Sequence, residues 1–471
     1  MAESGTKALK SGVWYTISNL LVKSTILITT PIFTRLLTKI DYGNYNNYVS
    51  WQNIILIIVT LNLEASLISA KFDYKDKFKE YVLSILVLST ISVGAWAVVA
   101  NIAMVPLSGF LGIAPVYINM MLLYCACYSS VNVFQVSERF HYKYKSAVLI
   151  ALLVAFGTAA VSVFLVLSME NRLYARTLGG ILPTVIIGII LYVIIARQGK
   201  KVDTSMWAYA LKVCIPYVPH LLSLTVLNSM DRVMITRICG ADDNALYSVA
   251  YNCGAMVTIL MTSMNTAFSP WLGDNLHIKN YRDTRRVSKY YILAFCYLAL
   301  GIMLLAPEVL LIMGGNQYLE AKYVMTPVAM GCVCQFLYTM YVNIEQYEKK
   351  TVGMAFASAG AALLNLALNA IFIPLFGYVA AAYTTLAGFL FLLIVHMLLV
   401  KKLGYSEVYD TKLVIMTGLI MMAFTVGINF LYMNNVIRYA VILIYIVLTL
   451  VIAIRNKGTL QGLLNKVIKR G

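Results

Sequence analysis

The stretch TTPIFTRLLTKIDYGNYNNY (residues 29–48) joins two apolar segments through a short polar turn. The first segment contains a proline and ends in Arg35, and the second begins at Val49, after Gly43 and three tyrosines. A fixed positive charge at the end of a hydrophobic segment has two explanations. It anchors a helix at a membrane surface, or it meets an anion there.

The composition indicates a polytopic membrane protein. Of the 471 residues, 61% are hydrophobic and only 12% are charged, about half the charged fraction of a typical soluble protein. No Asp, Glu, Lys or Arg occurs in residues 81–137 or 351–400. Because a helix needs roughly 20 apolar residues to cross the hydrocarbon core, each of these stretches is long enough for more than one crossing.

Charged loops and loops with proline or glycine divide the chain into predicted spans. The first of them is predicted to be retained rather than cleaved as a signal peptide, because no small-residue cleavage site follows a short apolar core. The sequence therefore predicts an all-α polytopic membrane protein with about fourteen transmembrane helices. The predicted spans are 11–35, 43–69, 81–103, 115–137, 145–168, 174–196, 209–234, 245–270, 288–313, 324–345, 352–374, 378–400, 412–433 and 436–454.

The distribution of charge predicts that both termini are cytoplasmic. With that orientation the cytoplasmic segments hold 28 Lys and Arg against 12 Asp and Glu, whereas the external segments hold 8 against 7. Such an excess of Lys and Arg is typical of cytoplasmic loops. Membrane topology thus accounts for nearly all of the net charge of +17, and no nucleic-acid partner is expected.

A stretch similar to the opening one occurs in the second half of the chain. TRLLTKIDYGNY (34–45) and TRICGADDNALY (236–247) share Thr-Arg and a tyrosine ten residues after the arginine. The offset of 202 residues superimposes span 1 on span 7 and span 2 on span 8. Six spans separate the copies, which predicts parallel repeats. The expected organisation is two six-helix lobes, 1–203 and 204–405, around a central cavity, followed by spans 13 and 14 with a cytoplasmic tail, 406–471.

Polar residues form stripes on the four helices that the repeat pairs. In a membrane such residues need a partner or an aqueous cavity, although Ser, Thr and Asn often only join helices. That simpler explanation is favoured for Ser358, Asn365 and Asn369 on span 11. The stripes are Thr16, Asn19, Lys23, Thr30 and Thr34 on span 1, Asn46, Asn53, Thr60 and Glu64 on span 2, His220, Ser223 and Asp231 on span 7, and Tyr251, Thr258, Thr262 and Asn265 on span 8.

Lys23 is the residue that the joining of helices explains least well. A lysine near the middle of a membrane helix costs on the order of 3 kcal/mol to insert. Two alternatives remain open: Lys23 pairs with Glu64 on the adjacent helix, or it lines an aqueous cavity and meets an anion.

Several kinds of chemistry find no support in the sequence. No phosphate-binding loop of the G-x-x-x-x-G-K-[ST] type is present, so direct use of ATP is not expected, and no H-E-x-x-H zinc motif occurs. The eight cysteines lack metal-ligand spacing and are expected to be small apolar residues. His396, near the end of span 12, is expected at the membrane interface. No metal and no cofactor is predicted.

The order LKSGVWYTISNLLVKSTILITTPIFTRLLTKIDYGNY (9–45), followed by NSMDRVMI (228–235) and LYSVAYN (246–252), resembles the Wzx-type polysaccharide-biosynthesis flippases. These are related to the MATE exporters and the lipid II flippases, and the resemblance covers essentially the whole chain. It implies transport of an undecaprenyl-pyrophosphate-linked oligosaccharide from the cytoplasmic to the outer leaflet of a bacterial inner membrane. The implied fold has a cavity lined mainly by helices 1, 2, 7 and 8. Contact with other polysaccharide-assembly enzymes is a further expectation.

This resemblance gives the polar residues expected roles. Lys23 would hold the pyrophosphate inside the cavity, while Arg35, Arg232 and Arg237 would receive or release it at the outer rim. For Arg35 and Arg237, anchoring at the interface is the alternative. The expected substrate-binding residues are Lys23, Arg35, Arg232, Arg237, Asn19, Asn53 and Asn265, and the ion-coupling candidates are Glu64 and Asp231.

Two other functions remain open at this stage. A MATE-type exporter of organic cations would share the architecture but should prefer acidic residues in its cavity. A membrane-embedded polysaccharide polymerase or O-acyltransferase would be an enzyme rather than a transporter. Polymerases usually carry a large external loop, and the longest predicted external loop is only about ten residues.

Overall fold

The computed structural model describes residues 2–140 and 144–455, and every regular element in these ranges is a helix. The predicted cytoplasmic tail beyond Arg455, and the side chain of Thr16, lie outside the described part. The α-helices are α1 (Ala2–Leu36), α2 (Lys39–Thr60), α3 (Leu67–Asp73), α4 (Phe78–Ile102), α5 (Met104–Leu111), α6 (Pro115–Phe140), α7 (Tyr144–Ser168), α8 (Arg172–Gly199), α9 (Ser205–Cys214), α10 (Val218–Ile238), α11 (Ala241–Gly254), α12 (Val257–His277), α13 (Tyr281–Leu304), α14 (Ala306–Met313), α15 (Lys322–Tyr347), α16 (Thr351–Phe376), α17 (Tyr378–Lys402), α18 (Thr411–Leu431) and α19 (Asn435–Arg455).

The predicted fold class, an all-α polytopic membrane protein, is confirmed. Within the described ranges, 12 helical segments are long and apolar enough to cross a membrane, or 13 if α2 and the bent segment after it form one span. In order along the chain the 12 segments match predicted spans 3 to 14, and the bent pair matches predicted span 2. Helix α1, with 35 residues, occupies the predicted first span and is also long enough to cross.

Predicted span 2 is not the continuous helix expected over residues 43–69. Helix α2 ends at Thr60, and the chain resumes after a bend of 54° as a 3-10 helix, Leu63–Ser66, followed by α3. Leu61 and Asn62 adopt positive φ angles of 56° and 48°. That left-handed conformation is one that asparagine tolerates and that no α-helix can continue through. Glu64 therefore lies beyond the break and not on the polar face of α2.

Spans 7 and 8 are also interrupted. Span 7 consists of α9, a 3-10 turn at Ile215–Tyr217 and α10, and the break falls at Pro216, as expected for a proline inside a helix. In span 8, α11 ends at Gly254 and α12 starts at Val257. The interruption at Ala255 borders the central cavity described below, where irregular backbone is tolerated in a membrane protein.

The helices pack as two bundles. The N-terminal bundle comprises α1, α2, α4, α6, α7 and α8, and the C-terminal bundle comprises α10 to α17. Helix α2 crosses between them and packs on both α10 and α11, while α18 and α19 lie against α13. Helix α9 packs on the N-terminal bundle, where Met206, Ala210 and Cys214 are buried against Leu63 and Leu67. The domain boundaries at 203/204 and 405/406 stay predictions.

The two similar stretches, residues 34–45 and 236–247, lie against one another in the structure. Helices α2 and α11 start 202 residues apart, the offset of the repeat, and their first turns lie against one another. A Cβ atom on Gly43 would lie 1.8 Å from the carbonyl oxygen of Ala241, so only glycine allows this approach. The side-chain amide of Asn244 donates to the carbonyl of Gly43 at 2.8 Å. The quoted stretch thus fixes how the bundles touch.

Further contacts join the bundles at the same end of the molecule. The hydroxyl of Thr34 donates to the carbonyl of Met313 at 2.7 Å, and Lys39 lies 3.7 Å from the carboxylate of Glu320. Gln317 donates to the carbonyl of Thr34 at 3.2 Å. On the predicted topology this end faces outward, so these contacts hold the bundles together on the outer side.

Candidate functional site

A cavity of about 390 Å³ lies between the two bundles. We call it the central cavity. Its walls come from α1, α2, α10, α11, α12, α15 and α17. All four spans with polar stripes therefore supply residues to it, and span 1 supplies Lys23. The polar and charged residues of its wall are Lys23, Asn53, Asn228, Ser229, Arg232, Tyr251, Thr258, Gln335 and Thr385.

Lys23 enters this cavity without a carboxylate partner. Its ammonium donates to the hydroxyl of Thr262 on α12 at 2.8 Å, and that hydroxyl donates to the carbonyl of Thr258. Glu64, the alternative partner, instead accepts from the side-chain amide of Asn132 on α6 at 2.6 Å. Of the two alternatives, the pairing of Lys23 with Glu64 is not what the structure shows, because the bend after α2 turns Glu64 toward α6. Lys23 forms no ion pair with a described residue.

Arg232 is the second cation of the central cavity. Its guanidinium lies 4.5 Å from the ring centre of Tyr251 and donates to the carbonyl of Asn228 at 3.1 Å. A cation over an aromatic face is held in place while its remaining donors stay available. Arg232 lies in the wall of the cavity together with Lys23, rather than at the outer rim where the sequence placed it.

Asp231 precedes Arg232 but points into the C-terminal bundle, since successive helical residues differ by about 100° in direction. Its side chain is 1% exposed. Three neutral groups donate to its carboxylate: the Tyr247 hydroxyl at 2.7 Å, the Asn369 amide at 2.7 Å and the Thr385 hydroxyl at 2.5 Å. We call these four residues, with Asn365 and Thr384, the Asp231 network.

The remaining members of the Asp231 network join α16 to α17. Asn365 donates to the Thr385 hydroxyl at 3.2 Å, and Thr384 donates to the side-chain carbonyl of Asn369. Ser358, the third polar residue of span 11, contacts His220 on α10 at 2.8 Å. The stripe on span 11 therefore joins helices, as predicted.

The predicted rim arginines lie apart from Lys23. Arg35 is exposed and donates to the carbonyls of Pro31 at 2.6 Å and Ile312 at 3.0 Å. Arg237 is exposed as well, and it donates to the carbonyl of Phe110 at 3.3 Å. Arg35 thus ties α1 to the C-terminal bundle at the end where the bundles meet. These contacts fit an anchoring role for both residues.

The three asparagines predicted to bind substrate lie in different parts of the structure. Asn53 lies in the wall of the central cavity and also in that of a second cavity, of about 490 Å³, inside the N-terminal bundle. Asn19 lines only this second cavity, which we call the N-terminal cavity. Asn265 accepts from the amide of Asn343 at 2.8 Å, joining α12 to α15, and lines neither cavity. A helix-joining role therefore fits Asn265 better than substrate binding.

Some cavity residues were not predicted from the sequence. Asn228 lies one turn before Arg232, and Gln335 is the polar residue of the buried helix α15 that faces the cavity. Arg176, in the N-terminal cavity, was also not predicted from the sequence. Its guanidinium carbon lies 3.8 Å from the ring centre of Phe33 and 4.1 Å from that of Tyr45. The spacing of Arg172 and Arg176, one helical turn apart at the start of a span, was the available signal.

His396 is buried rather than interfacial. Its Nδ1 lies 2.7 Å from Oε1 of Glu345, and both side chains are nearly inaccessible. The expectation of an interfacial position is wrong because α17 is covered on both sides by α15 and α16. Sequence position alone does not show which face of a helix its neighbours cover.

Within the described ranges, no three His, Cys, Asp or Glu side chains come together in a way that could hold a metal ion. The eight cysteines are free thiols, and seven of them are buried. They contribute to the packing of the helices.

Comparison with known proteins places this geometry in context. A sequence model of the family described as "Polysaccharide biosynthesis protein" matches residues 8–276, and one described as "MatE" matches residues 216–371. The "Lsg locus putative protein 1" of Haemophilus influenzae is 21% identical over 361 residues, which is 73% of this chain and 86% of that protein.

Two solved structures share the fold. "Lipid II flippase MurJ, inward closed conformation" aligns with a TM-score of 0.69 at 13% identity, over 95% of this chain and 100% of that one. An inward-facing multidrug resistance MATE family transporter of the MOP superfamily aligns with a TM-score of 0.61 at 14% identity, over 83% and 98%. At these identities the likeness concerns the fold.

Proposed function

The chain belongs to the polysaccharide biosynthesis protein family, whose sequence model matches more than half of it, and on that premise we propose that it is a flippase for a lipid-linked oligosaccharide. The proposed substrate is an oligosaccharide linked through pyrophosphate to undecaprenol, which moves from the cytoplasmic to the outer leaflet of a bacterial cytoplasmic membrane. The proposed orientation has both termini in the cytoplasm.

Such a substrate makes two physical demands. Its sugar hydroxyls and its charged pyrophosphate cannot cross hydrocarbon unaided, because each unpaired polar group costs a few kcal/mol. Its lipid tail must stay in the bilayer throughout. A cation-bearing cavity between two helical bundles that part and rejoin would meet both demands, by giving the two bilayer leaflets access in turn.

The observation that carries the proposal is the pair of cations in the central cavity. Lys23 and Arg232 both line its wall, and none of its described wall residues is acidic. The nearest carboxylate by sequence, Asp231, points into the C-terminal bundle and accepts hydrogen bonds from three neutral donors. A positively charged, partly desolvated cavity attracts a pyrophosphate strongly. It repels the organic cations that a MATE-type exporter would carry.

Release on the outer side would require the contacts at the end near Arg35 to separate. The contacts that join the bundles there include the close packing of α2 on α11 at Gly43 and Ala241, together with polar contacts such as Thr34 to Met313 and Lys39 to Glu320. Single polar contacts of this kind contribute little individually. The step that opens the outer side would therefore be the separation of the packed first turns of α2 and α11.

We assign the coupling of transport to the Asp231 network rather than to Glu64. The network presents one carboxylate, two amide side chains and three hydroxyls, all oxygen-bearing groups of the kind that bind hard cations. It touches the central cavity through Thr385, which donates to Asp231 and also lines the cavity wall. A cation bound at Asp231 would shift Thr385 and so alter the cavity.

A sidedness assay tests the function in cells. In a strain lacking the gene, the lipid-linked oligosaccharide should accumulate in the cytoplasmic leaflet, and its glycan should be inaccessible to an impermeant label added outside. The wild-type gene should restore outer-leaflet labelling, and a Lys23→Ala gene expressed to the same level should not. Normal outer-leaflet labelling in the deletion strain would refute the proposal.

The orientation has its own test. In a variant without native cysteines, a cysteine introduced after Leu37 should react with an impermeant thiol reagent in intact cells. A cysteine at positions 75–79 should react only after the membrane is permeabilised. The reverse pattern would place both termini outside.

A further inference from the structure

The N-terminal cavity differs in character from the central cavity. It runs inside one bundle, between α1, α2, α6, α7 and α8, instead of between the two bundles. Along α6 its wall extends from Tyr124 to Arg139, a distance of about 22 Å at 1.5 Å per residue. Its volume of about 490 Å³ is within the range of cavities that hold a small molecule.

Amide side chains of this cavity are left without protein partners. Gln52 is only 8% exposed, yet it makes no hydrogen bond to a described residue. Gln135 and Asn53, also in the wall, likewise bond to no described residue. The hydroxyl of Tyr48, whose side chain is 3% exposed, has no partner either. Since buried polar groups are nearly always paired, Gln52 and Tyr48 are positioned for hydrogen bonds to a molecule inside the cavity. Gln135 is half-buried and Asn53 is exposed, and their amides face the same cavity.

The wall of the N-terminal cavity also contains four tyrosine rings. Tyr124 and Tyr128 stack with ring centres 5.3 Å apart, and Tyr45 and Tyr48 lie 6.4 Å apart. A pyranose ring has polar hydroxyls at its edge and apolar C–H groups on its faces. Flat aromatic surfaces beside amide donors and acceptors match both parts at once. The wall therefore has the chemistry expected for carbohydrate.

The charges of the wall argue against an organic cation. Its charged residues are the arginines Arg139 and Arg176, and none of the described wall residues is acidic. Arg176 already lies between two aromatic rings and donates to the hydroxyl of Ser162 at 2.7 Å. Neutral or acidic sugars are compatible with this lining.

Asn53 lies in the walls of both cavities. In the wall of the central cavity it occurs together with Lys23. A pyrophosphate held by Lys23 and Arg232 would thus present its first sugar at Asn53, with the following sugars next to Gln52 and Gln135. A bulky glycan and its charged linkage would then occupy separate compartments.

We propose that the N-terminal cavity is the compartment for the glycan of the substrate, and that Gln52, Gln135 and Asn53 bind its hydroxyls while the tyrosines pack against its rings. This rests on the proposed function, because it assumes that the pyrophosphate is bound at Lys23. It assigns recognition of the sugar to the N-terminal bundle and recognition of the charge to the junction between bundles.

Binding measurements with two kinds of probe separate these roles. The full-length protein in lipid nanodiscs is titrated with geranyl diphosphate. It is then titrated with geranyl diphosphate carrying glucose, galactose or N-acetylglucosamine on its terminal phosphate. At least one glycosylated probe should bind about threefold to tenfold more tightly than the bare diphosphate, the gain expected from one or two additional net hydrogen bonds.

The variants identify where that gain arises. The double change Gln52→Ala with Gln135→Ala should remove it and leave the affinity for geranyl diphosphate unchanged. The matched control is Gln346→Ala, at an exposed glutamine near the C-terminal end of α15 that lines neither cavity. This variant should retain the gain in affinity. Lys23→Ala should weaken the binding of all probes.

Each other outcome has a definite meaning. If every glycosylated probe binds no better than the bare diphosphate, or if the double variant keeps the gain, the N-terminal cavity is not the glycan compartment. In both cases Lys23→Ala still weakens binding. If Lys23→Ala changes no affinity, the proposed function itself fails and the inference fails with it.

Discussion

In the C-terminal bundle the carboxylate of Asp231 is met by three donors, whereas in the N-terminal bundle the buried amide of Gln52 meets none among the described residues. The sequence predicts that the two bundles are copies of one repeat, and both carry polar side chains inside a membrane. At Asp231 the C-terminal bundle supplies partners from its own side chains. At Gln52 the N-terminal bundle leaves an amide facing an open cavity.

This difference separates two uses of polarity in a membrane. A closed hydrogen-bonded network joins helices and can hold a small ion, but it leaves no room for a large ligand. Unpaired amides around a cavity contribute little to folding and are available for binding. The bundles are thus expected to respond in opposite ways to mutation: loss of stability in one, loss of substrate binding in the other.

The largest effect is expected at Lys23, where the two bundles face one another. Lys23→Ala removes a charged donor from the central cavity, and loss of flipping should be essentially complete, while the amount of inserted protein is unchanged. Lys23→Arg should retain part of the activity, since it keeps the charge. Lys412→Ala, at an exposed lysine in the first turn of α18, is the matched control and should transport normally.

The double change of Lys23→Ala with Glu64→Ala distinguishes substrate binding from mere neutralisation. Because Glu64 bonds to Asn132 and not to Lys23, the double variant should be as inactive as Lys23→Ala alone. Recovery of flipping would show that Lys23 serves only to compensate Glu64.

The next largest effect is expected on stability, at Asp231. Asp231→Ala would leave the Tyr247 and Thr385 hydroxyls and the Asn369 amide without their acceptor, and each unpaired buried group costs about 1–3 kcal/mol. The melting temperature of the purified protein should fall clearly. Asn53→Ala, on the cavity side, should leave it nearly unchanged while weakening substrate binding. Equal loss of stability in both variants would remove the distinction between the bundles.

Asp231→Asn tests coupling apart from stability. The amide retains an acceptor oxygen, so the protein should fold, but the negative charge that would hold a cation is lost. Flipping in vesicles should no longer depend on the proton or sodium gradient. Transport that responds to the gradients as in the wild type would exclude Asp231 as the coupling residue.

Much of this arrangement was predictable from the sequence, and the reasons differ by residue. The fold class and the order of spans follow from hydropathy, and Lys23 stood out because a lone charge inside an apolar helix is costly. The contact between α2 and α11 at Gly43 involves the two stretches whose sequences are similar, residues 34–45 and 236–247. These inferences use local composition or spacing, which a single sequence contains.

Other features depend on contacts that a sequence does not show. The break at Leu61 places a leucine in a left-handed conformation that it rarely adopts, and this moves Glu64 away from Lys23. Asp231 and Arg232 are neighbours in sequence but face different surroundings, since one points into a bundle and the other into a cavity. Gln52 was overlooked because only the packing of five helices shows that its amide is enclosed and unpaired.

The smallest effect is expected at the rim. Arg237 is exposed, and its contact with the carbonyl of Phe110 is long, at 3.3 Å. Arg237→Ala should change stability by less than about 0.5 kcal/mol, as is usual for surface positions, and flipping should stay close to the wild-type rate. A large loss of flipping in the same sidedness assay would restore Arg237 as part of the substrate path.

Reconstitution tests the central claim most directly. The purified protein is placed in liposomes whose undecaprenyl-pyrophosphate-linked oligosaccharide starts in the inner leaflet, and its arrival outside is followed with an impermeant glycosidase or lectin. We predict that wild-type protein exposes the glycan, that Lys23→Ala protein does not, and that empty liposomes behave like the variant. Equal exposure by the wild-type and Lys23→Ala proteins would contradict the account.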